Sequence, residues 1–331
     1  MKTGLEERRV VFKAKDVVAV ESFNLEQPAQ GEVSVKTAAS LISTGTETAF
    51  LKALPNTPQK FPQYPGYSNA GIVETVGEDV TEVEEGERVV SRTHHASHVL
   101  TRENELWKIP ENVSFEEATF FALSAVALQG VRKARVELGE TVVVLGQGLI
   151  GQLALQLAKL SGGLPVVGVD LVDSRLSKSF SLGADYVFNP RKVDLEKEVS
   201  AVSGSEGAKV VIEATGNPNV ILTAFKLAST YGRVVLLGST RGLTEVNFYM
   251  DVHKKGVTVI GAHDSVRPRR DSYPHEWTLS DDVTLVLRLL GKGILRVRDL
   301  ISLKVHFERV PEAYRQLLED KNVLGVVLDW R

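Results

Sequence analysis

The chain has 331 residues, enough for two domains, and its 43% hydrophobic and 24% charged content excludes a largely disordered protein. Its 39 Lys and Arg against 42 Asp and Glu give a net charge of -3, so there is neither a basic excess for nucleic acid nor an acidic tail. Cysteine is absent, which removes disulfides, thiolate nucleophiles and every cysteine-containing zinc site.

No stretch reaches the ~18 consecutive apolar residues of a spanning helix. The richest run, 120–131, is interrupted by Ser124 and Gln129. Residues 1–9 have no apolar segment of the secretory kind. A cytoplasmic protein without membrane or nucleic-acid partners is expected.

In chain order, the first ~110 residues read as β-rich by alternation and turn chemistry. Val33, Val35 and Thr37 alternate with polar neighbours, Ile72-Val73-Glu74-Thr75-Val76 runs into the turn Gly77-Glu78-Asp79, and Gly86-Glu87-Arg88-Val89-Val90 starts another strand. Short strands with glycine corners predict a small barrel. Ser114-Phe115-Glu116-Glu117 is a capping box, and one helix is expected over 115–133. Thr141-Val142-Val143-Val144-Leu145 is apolar on both faces, as a buried parallel strand requires. Strands at 165–169, 186–188, 210–212, 233–237 and 257–260 then alternate with helical stretches such as 151–160 and 218–229. That order predicts a doubly wound sheet. A loop containing Pro268, Arg269, Arg270 and Pro274 follows, then helices over 282–290 and 311–319 and a final strand over 325–330. The tail is expected to return to the first domain. The domains are then 1–122 with 266–331, and 123–265.

Gly146-Gln147-Gly148-Leu149-Ile150-Gly151 is a G-x-G-x-x-G that follows a buried strand and opens a helix. Gly146 suits the tight turn, Gly148 the approach of a pyrophosphate, and Gly151 close helix–strand packing. The free N–H groups at the helix start, from Leu149 and Ile150 onward, suit phosphate oxygens. The motif calls for an acid roughly 20 residues on, and Asp170 stands there after Val166-Val167-Gly168-Val169. Asp170 should accept from a ribose 2′-OH and repel a 2′-phosphate, so NAD is expected over NADP. Thr215, Gly216, Gly238 and Ser239 follow later strands, on the edge where such sheets bind ligands.

These landmarks, with Ile42-Ser43-Thr44-Gly45-Thr46-Glu47, Pro65-Gly66-Tyr67-Ser68-Asn69-Ala70-Gly71 and Glu213-Ala214-Thr215-Gly216, resemble the medium-chain dehydrogenase/reductase family over nearly the full length. The resemblance implies a Rossmann doubly wound parallel sheet inserted in a GroES-like β-barrel catalytic domain. It also implies a nicotinamide cofactor and a homodimer or homotetramer pairing through the edge strand at 257–260. Zinc members carry Cys where Thr44 stands, and His and Glu where Tyr67 and Ser68 stand. Their third ligand position falls near Ala122, so no metal is expected. His94, His95 and His98 lie in loop running into strand and are expected as polar loop or pocket residues. Within the family, Ala96-Ser97-His98 and the terminal Val327-Leu328-Asp329-Trp330-Arg331 resemble the bacteriochlorophyllide a dehydrogenase branch, which oxidises a hydroxyethyl group on a chlorin ring.

With the zinc positions changed, hydrogen bonds must stabilise the substrate oxygen. Thr46 matches the family hydroxyl that relays the alcohol proton; its rival reading is a strand-end threonine bonded to backbone. Glu47 matches the carboxylate that orients a metal-bound His, and here would bond the Tyr67 hydroxyl. Tyr67 would then contact the substrate oxygen, as donor in the reductive direction, since a pKa near ~10 suits a poor base. Its rival reading is an aromatic filling the vacated metal pocket, which Thr44 also lines; His98 is the next acid–base candidate. The expected activity is zinc-independent, NAD-linked interconversion of a small-molecule secondary alcohol, such as a polyol or a hydroxyethyl-bearing ring, and its ketone. The alternatives are a quinone or enone reductase and a non-catalytic dinucleotide-binding protein.

Overall fold

A computed structural model describes residues 7–204, 207–272 and 276–331; residues 1–6 and Pro274, named above, lie outside them. The chain separates into two compact units, 1–122 with 283–331, and 123–282.

The first unit begins with an antiparallel hairpin of β1 (Glu7–Ala14) and β2 (Val17–Phe23). The ten-residue β3 (Glu32–Leu41) leads into helix α1 (Thr44–Leu51), followed by β4 (Asn69–Val76), β5 (Arg88–Ser91), β6 (His98–Arg102) and β7 (Leu106–Lys108). The capping box at Ser114 is formed, but its helix α2 (Phe115–Ala118) stops after one turn, and α3 (Phe121–Ala134) starts anew. The single expected helix is therefore broken. Ser68 Oγ donates to Thr119 O at 2.5 Å and the Thr119 hydroxyl turns back to Glu116 O, so the backbone at the break is held from the side.

The second unit alternates β8 (Val142–Leu145), α4 (Leu149–Leu160), β9 (Val166–Val169), α5 (Asp173–Ser181), β10 (Tyr186–Phe188), α6 (Leu195–Ser203), β11 (Ala208–Glu213), α7 (Pro218–Leu227), β12 (Ala228–Leu236) and β13 (Thr258–Gly261). All pairings in its sheet are parallel, in the order β10-β9-β8-β11-β12-β13. This is the doubly wound Rossmann order, with the crevice between β8 and β11 where the winding reverses. Every residue of β8 and β9 is buried, as a strand covered on both faces must be. On α4, Leu153, Leu155 and Leu157 are almost fully buried. At roughly 1.5–3 kcal/mol per leucine, they hold the helix start, and the glycine loop before it, rigidly on the sheet.

The chain finishes with α8 (Leu279–Gly291), β14 (Ile301–His306), α9 (Val310–Glu319) and β15 (Gly325–Asp329). β15 pairs antiparallel with β3, and the sheet β14-β15-β3-β4-β5-β7, with β6 also on β3, is the GroES-like barrel. The return to the first unit falls at 283, not at 266. The reason is a buried ion cluster: Arg267 donates to Asp282 at 2.7 Å and to Ala125 O at 2.9 Å, which ties Arg267 and Asp282 into the second unit. Among the described residues no helix is long and apolar enough to cross a membrane.

Candidate active site

The glycine loop matches its expected geometry. Gly146 sits at φ +88°, and a Cβ there would come within 2.6 Å of Thr215 Cγ2. At Gly151 a Cβ would lie 1.7 Å from Gly146 O, so only glycine lets α4 start this close to the turn. Around Gly148 there is open space, and as N-cap of α4 it gives no side-chain cap. The helix-start N–H groups of Leu149 and Ile150 are left for an anion, which fits a pyrophosphate.

Asp170 stands at the end of β9, nearly buried. Its Oδ2 accepts from Gln147 N at 2.7 Å and its Oδ1 from Val172 N at 2.9 Å, with Arg175 Nη1 at 4.0 Å. Each carboxylate oxygen keeps a lone pair for a ribose hydroxyl, so the acid both laces the glycine loop and suits the 2′-OH. At the next strand ends Glu213, beforehand only a landmark, takes a structural part. Its Oε1 accepts from Thr215 N at 2.6 Å and from the Thr215 hydroxyl, and its main-chain carbonyl accepts from Gly238 N at 2.7 Å. Thr215 is thus held against Gly146, and Gly238 and Ser239 follow on the same edge. Burial pushes the Glu213 carboxyl up despite the bonds from Thr215 and Gly216 that favour its charge.

The barrel unit carries a second cluster. Thr44, Thr46 and Glu47 lie on the first turn of α1, so Thr46 is a helical residue, not a strand-end one. Ser43 is the N-cap, yet its hydroxyl caps nothing. Glu47 reaches back to the N-cap itself: its Oε1 accepts from Ser43 N at 2.7 Å. The Ser43 Oγ lies 2.5 Å from the Tyr67 hydroxyl, and Thr46 also hydrogen-bonds Tyr67. Burial raises the Tyr67 pKa; the Ser43 and Thr46 bonds oppose the rise, the Glu47 charge adds to it, and Arg92, 5.5 Å over the ring, opposes it. The phenol is therefore held protonated, with a hydrogen it can donate. Thr44 is half-buried on the same turn, its carbonyl taking the Thr48 hydroxyl.

Two expectations are corrected here. Glu47 does not bond Tyr67: its Oε2 faces His95 Nε2 at 3.1 Å and accepts from the Tyr314 hydroxyl. His98 is not brought to the cluster: as the first residue of β6 it lies between Glu7, on Nδ1, and Glu74, 3.3 Å from Nε2. The histidine that does join is His95, fully buried, with Nδ1 2.8 Å from Ser40 Oγ. His95 was expected only as a polar loop or pocket residue alongside His94 and His98, and Tyr314 carries no local motif that could have announced it. His94 is kept neutral, its pKa lowered to about 4 by burial first, then by His95 and Arg9.

The donor types at the zinc positions do not suit a zinc ion. Tyr67 offers a phenol, Ser68 a hydroxyl that donates to Thr119 O, and Thr44 a third hydroxyl. Ala122 offers none. Among the described residues no three His, Cys, Asp or Glu side chains converge as a metal site.

Residues 29–115 match the alcohol dehydrogenase GroES-like domain family, and 150–279 match the zinc-binding dehydrogenase family. The chain is 30% identical to the D-guloside 3-dehydrogenase of Escherichia coli (strain K12) over 253 residues, 75% of this chain and 72% of that protein. It belongs to the medium-chain dehydrogenase/reductase family. Another member, the L-threonine 3-dehydrogenase of Pyrococcus furiosus, is 26% identical over 96% of this chain and 97% of its own. Among solved structures of this family's fold, an Escherichia coli oxidoreductase/dehydrogenase of unknown specificity superposes with a TM-score of 0.86 at 20% identity, over 98% of this chain and 99% of its own. As a member of the family, the protein is an alcohol dehydrogenase-like oxidoreductase, and the family is nicotinamide-dependent.

Proposed function

We propose that this enzyme interconverts a secondary alcohol and its ketone with NAD and without zinc, and that the Tyr67 phenol meets the substrate oxygen. The observation that carries the reading is the part-buried Ser43–Tyr67–Thr46 hydroxyl cluster, in which Tyr67 stands where zinc relatives carry a ligand histidine. When bound, the nicotinamide supplies the hydride acceptor or donor. Tyr67, kept protonated, donates a hydrogen bond to the carbonyl oxygen as charge develops there, which replaces the metal as oxyanion stabiliser, and its proton passes to that oxygen to complete the alcohol; in oxidation the alcohol proton returns by the same path. Thr46 steadies the phenol from α1, and Thr44 lines the pocket beside it. The 146–151 loop and the α4 start receive the pyrophosphate. Thr215, Gly238 and Ser239 border the nicotinamide half. Asp170 favours NAD, because a 2′-phosphate beside it would be a like-charge contact. We also infer a homodimer or homotetramer paired along the edge strand β13, which sedimentation tests.

The test is a panel of secondary alcohols and their ketones, with NAD and NADP as separate cofactors. It includes glycosides oxidised at C3, L-threonine, polyols and a hydroxyethyl chlorin, because relatives named above act on a D-guloside and on L-threonine. Enones are the contrasting arm. Alcohol turnover with NAD that survives chelation, in protein free of stoichiometric zinc by elemental analysis, supports the proposal. Enone turnover alone, dinucleotide binding with no turnover, or one essential zinc per chain overturns it.

A further inference from the structure

The C-terminal Asp329-Trp330-Arg331 plays no part in the chemistry proposed above, yet it is firmly built in. Asp329 and Arg331 face outward: Arg331 Nε is 2.9 Å from Asp329 Oδ1 and its Nη2 is 2.5 Å from Glu116 Oε1. Lys304 joins the same carboxylates at 2.6 and 3.2 Å. Trp330 between them turns inward, 7% exposed, stacked on Phe307 with centroids 4.7 Å apart and rings 3° from parallel. Its Nε1 donates to Ser40 Oγ at 2.9 Å. An indole N–H only donates, so Ser40 accepts there. A carboxylate oxygen only accepts, so His95 Nε2 carries the hydrogen toward Glu47 Oε2, and in the neutral ring Nδ1 is then the acceptor for the Ser40 hydroxyl. The donors from Trp330 to Glu47 all run one way, and in a buried site such a chain strengthens each of its bonds.

We propose that Trp330, Ser40 and His95 are positioning residues for Tyr67, acting through Glu47 and Ser43. A serine at an N-cap ordinarily spends its hydroxyl on the helix N–H two or three residues on, but the Ser43 hydroxyl meets Tyr67 instead. Glu47, held by His95 and Tyr314, accepts from the Ser43 N–H and so fixes the backbone from which that hydroxyl projects. Loosening Glu47 lets Ser43 turn toward the helix N–H groups and leaves Tyr67 one partner short. The inference rests on the reading of Tyr67 given above.

The test is a double-mutant cycle with Tyr67→Phe, using the panel substrate that turns over fastest. Trp330→Phe keeps the ring stack and deletes the N–H, Ser40→Ala breaks the next link, and His95→Leu and His95→Gln remove or keep a donor toward Glu47. Alone, Trp330→Phe and Ser40→Ala should lower kcat by about tenfold, the scale of one supporting hydrogen bond, with KM and NADH affinity by fluorescence within about twofold. His95→Gln should retain more kcat than His95→Leu. In the Tyr67→Phe background none of them should lower kcat further, since the group they position is gone. The inference is overturned if Trp330→Phe and His95→Leu leave kcat unchanged while Tyr67→Phe damages it. It is equally overturned if their losses persist in the Tyr67→Phe background, which marks a general packing role. An unchanged kcat in Tyr67→Phe alone overturns the Tyr67 reading first, and the relay with it.

Discussion

The glycine loop of the sheet unit and the hydroxyl cluster of the barrel unit are assembled from contacts of opposite reach. In the loop, six consecutive residues turn and start a helix, and the partner acid is only 23 positions away along the chain from the N–H it accepts. In the cluster, Glu47 meets Tyr314 across 267 positions and Ser40 meets Trp330 across 290. A site made of backbone geometry leaves its signature in glycine spacing. A site made of side chains from distant elements leaves none, because each residue has an unremarkable local reason to be where it is.

The first prediction strikes the local site where it is least tolerant. Gly151→Ala places a Cβ 1.7 Å from Gly146 O, a backbone atom that cannot rotate away. The turn must open, and NADH affinity should fall by more than about 100-fold, on the order of several hydrogen bonds to the phosphates. Fluorescence titration with NADH is the readout. Near-wild-type affinity would mean that the loop does not carry the cofactor.

The second strikes the distant site. Tyr67→Phe should lower kcat by ~10²–10³-fold with NADH affinity unchanged, the pattern of an interaction made in the transition state. The pH dependence sharpens it. Burial holds the Tyr67 phenol above its ordinary pKa, so ketone reduction by the wild type should keep its donor through neutral and mildly alkaline pH and fall only as the phenol ionises. That alkaline limb should be missing from the residual rate of Tyr67→Phe.

The third prediction tests whether the local site is as separable as its motif suggests. Asp170→Gly should narrow the preference for NAD over NADP by removing the like charge. It should also weaken NAD itself by about tenfold, because Gln147 N loses an ionised acceptor. Calorimetry with both dinucleotides reads the two effects separately. A change in preference with no loss of NAD affinity would show that the carboxylate does not lace the loop.

The same contrast explains what could be read in advance. The alternation after Thr141, the glycine motif and Asp170 are short-range features, and they led directly to the parallel sheet and its crevice. The capping box at Ser114 was equally local and formed as expected; the break after it was not foreseeable, since the hydroxyl that takes Thr119 O there comes from Ser68, 51 positions away. Thr46 and Tyr67 could be named only through resemblance. The pairing of Glu47 with His95 was misread because the family pattern put Tyr67 in the only partner position the sequence offered. His98 and His95 look alike in the string Ala96-Ser97-His98 and its neighbours. They differ in the structure because β6 starts at His98 and carries it toward Glu7 and Glu74, while His95 packs inward beneath Gly66.

The smallest expected effect separates the two units by pH. His94, beside His95 in the barrel unit, has its pKa lowered from 6.5 to about 4, chiefly by burial. The folded state thus holds a neutral imidazole that the unfolded chain protonates at ordinary acidity. Above pH 6.5 both states are neutral there, and the residue has no pH-dependent effect. As pH falls below 6.5 the unfolded state gains a proton that the folded state refuses, so stability declines, and the decline ends once the folded state also protonates near pH 4. The full shift corresponds to about 3 kcal/mol, and partial exposure brings the expected loss to roughly 1–2 kcal/mol. His94→Gln removes the titration while keeping a polar side chain of similar reach. Urea unfolding of both proteins between pH 7 and pH 4 should therefore give curves that converge: wild type loses its lead, or falls behind, as acid is added. The melting of the sheet unit, followed by protection of its amides in β8 and β9, should not respond to the substitution if the two units open independently. Parallel stability profiles for the two proteins across that pH window would show that His94 is not held neutral by the fold.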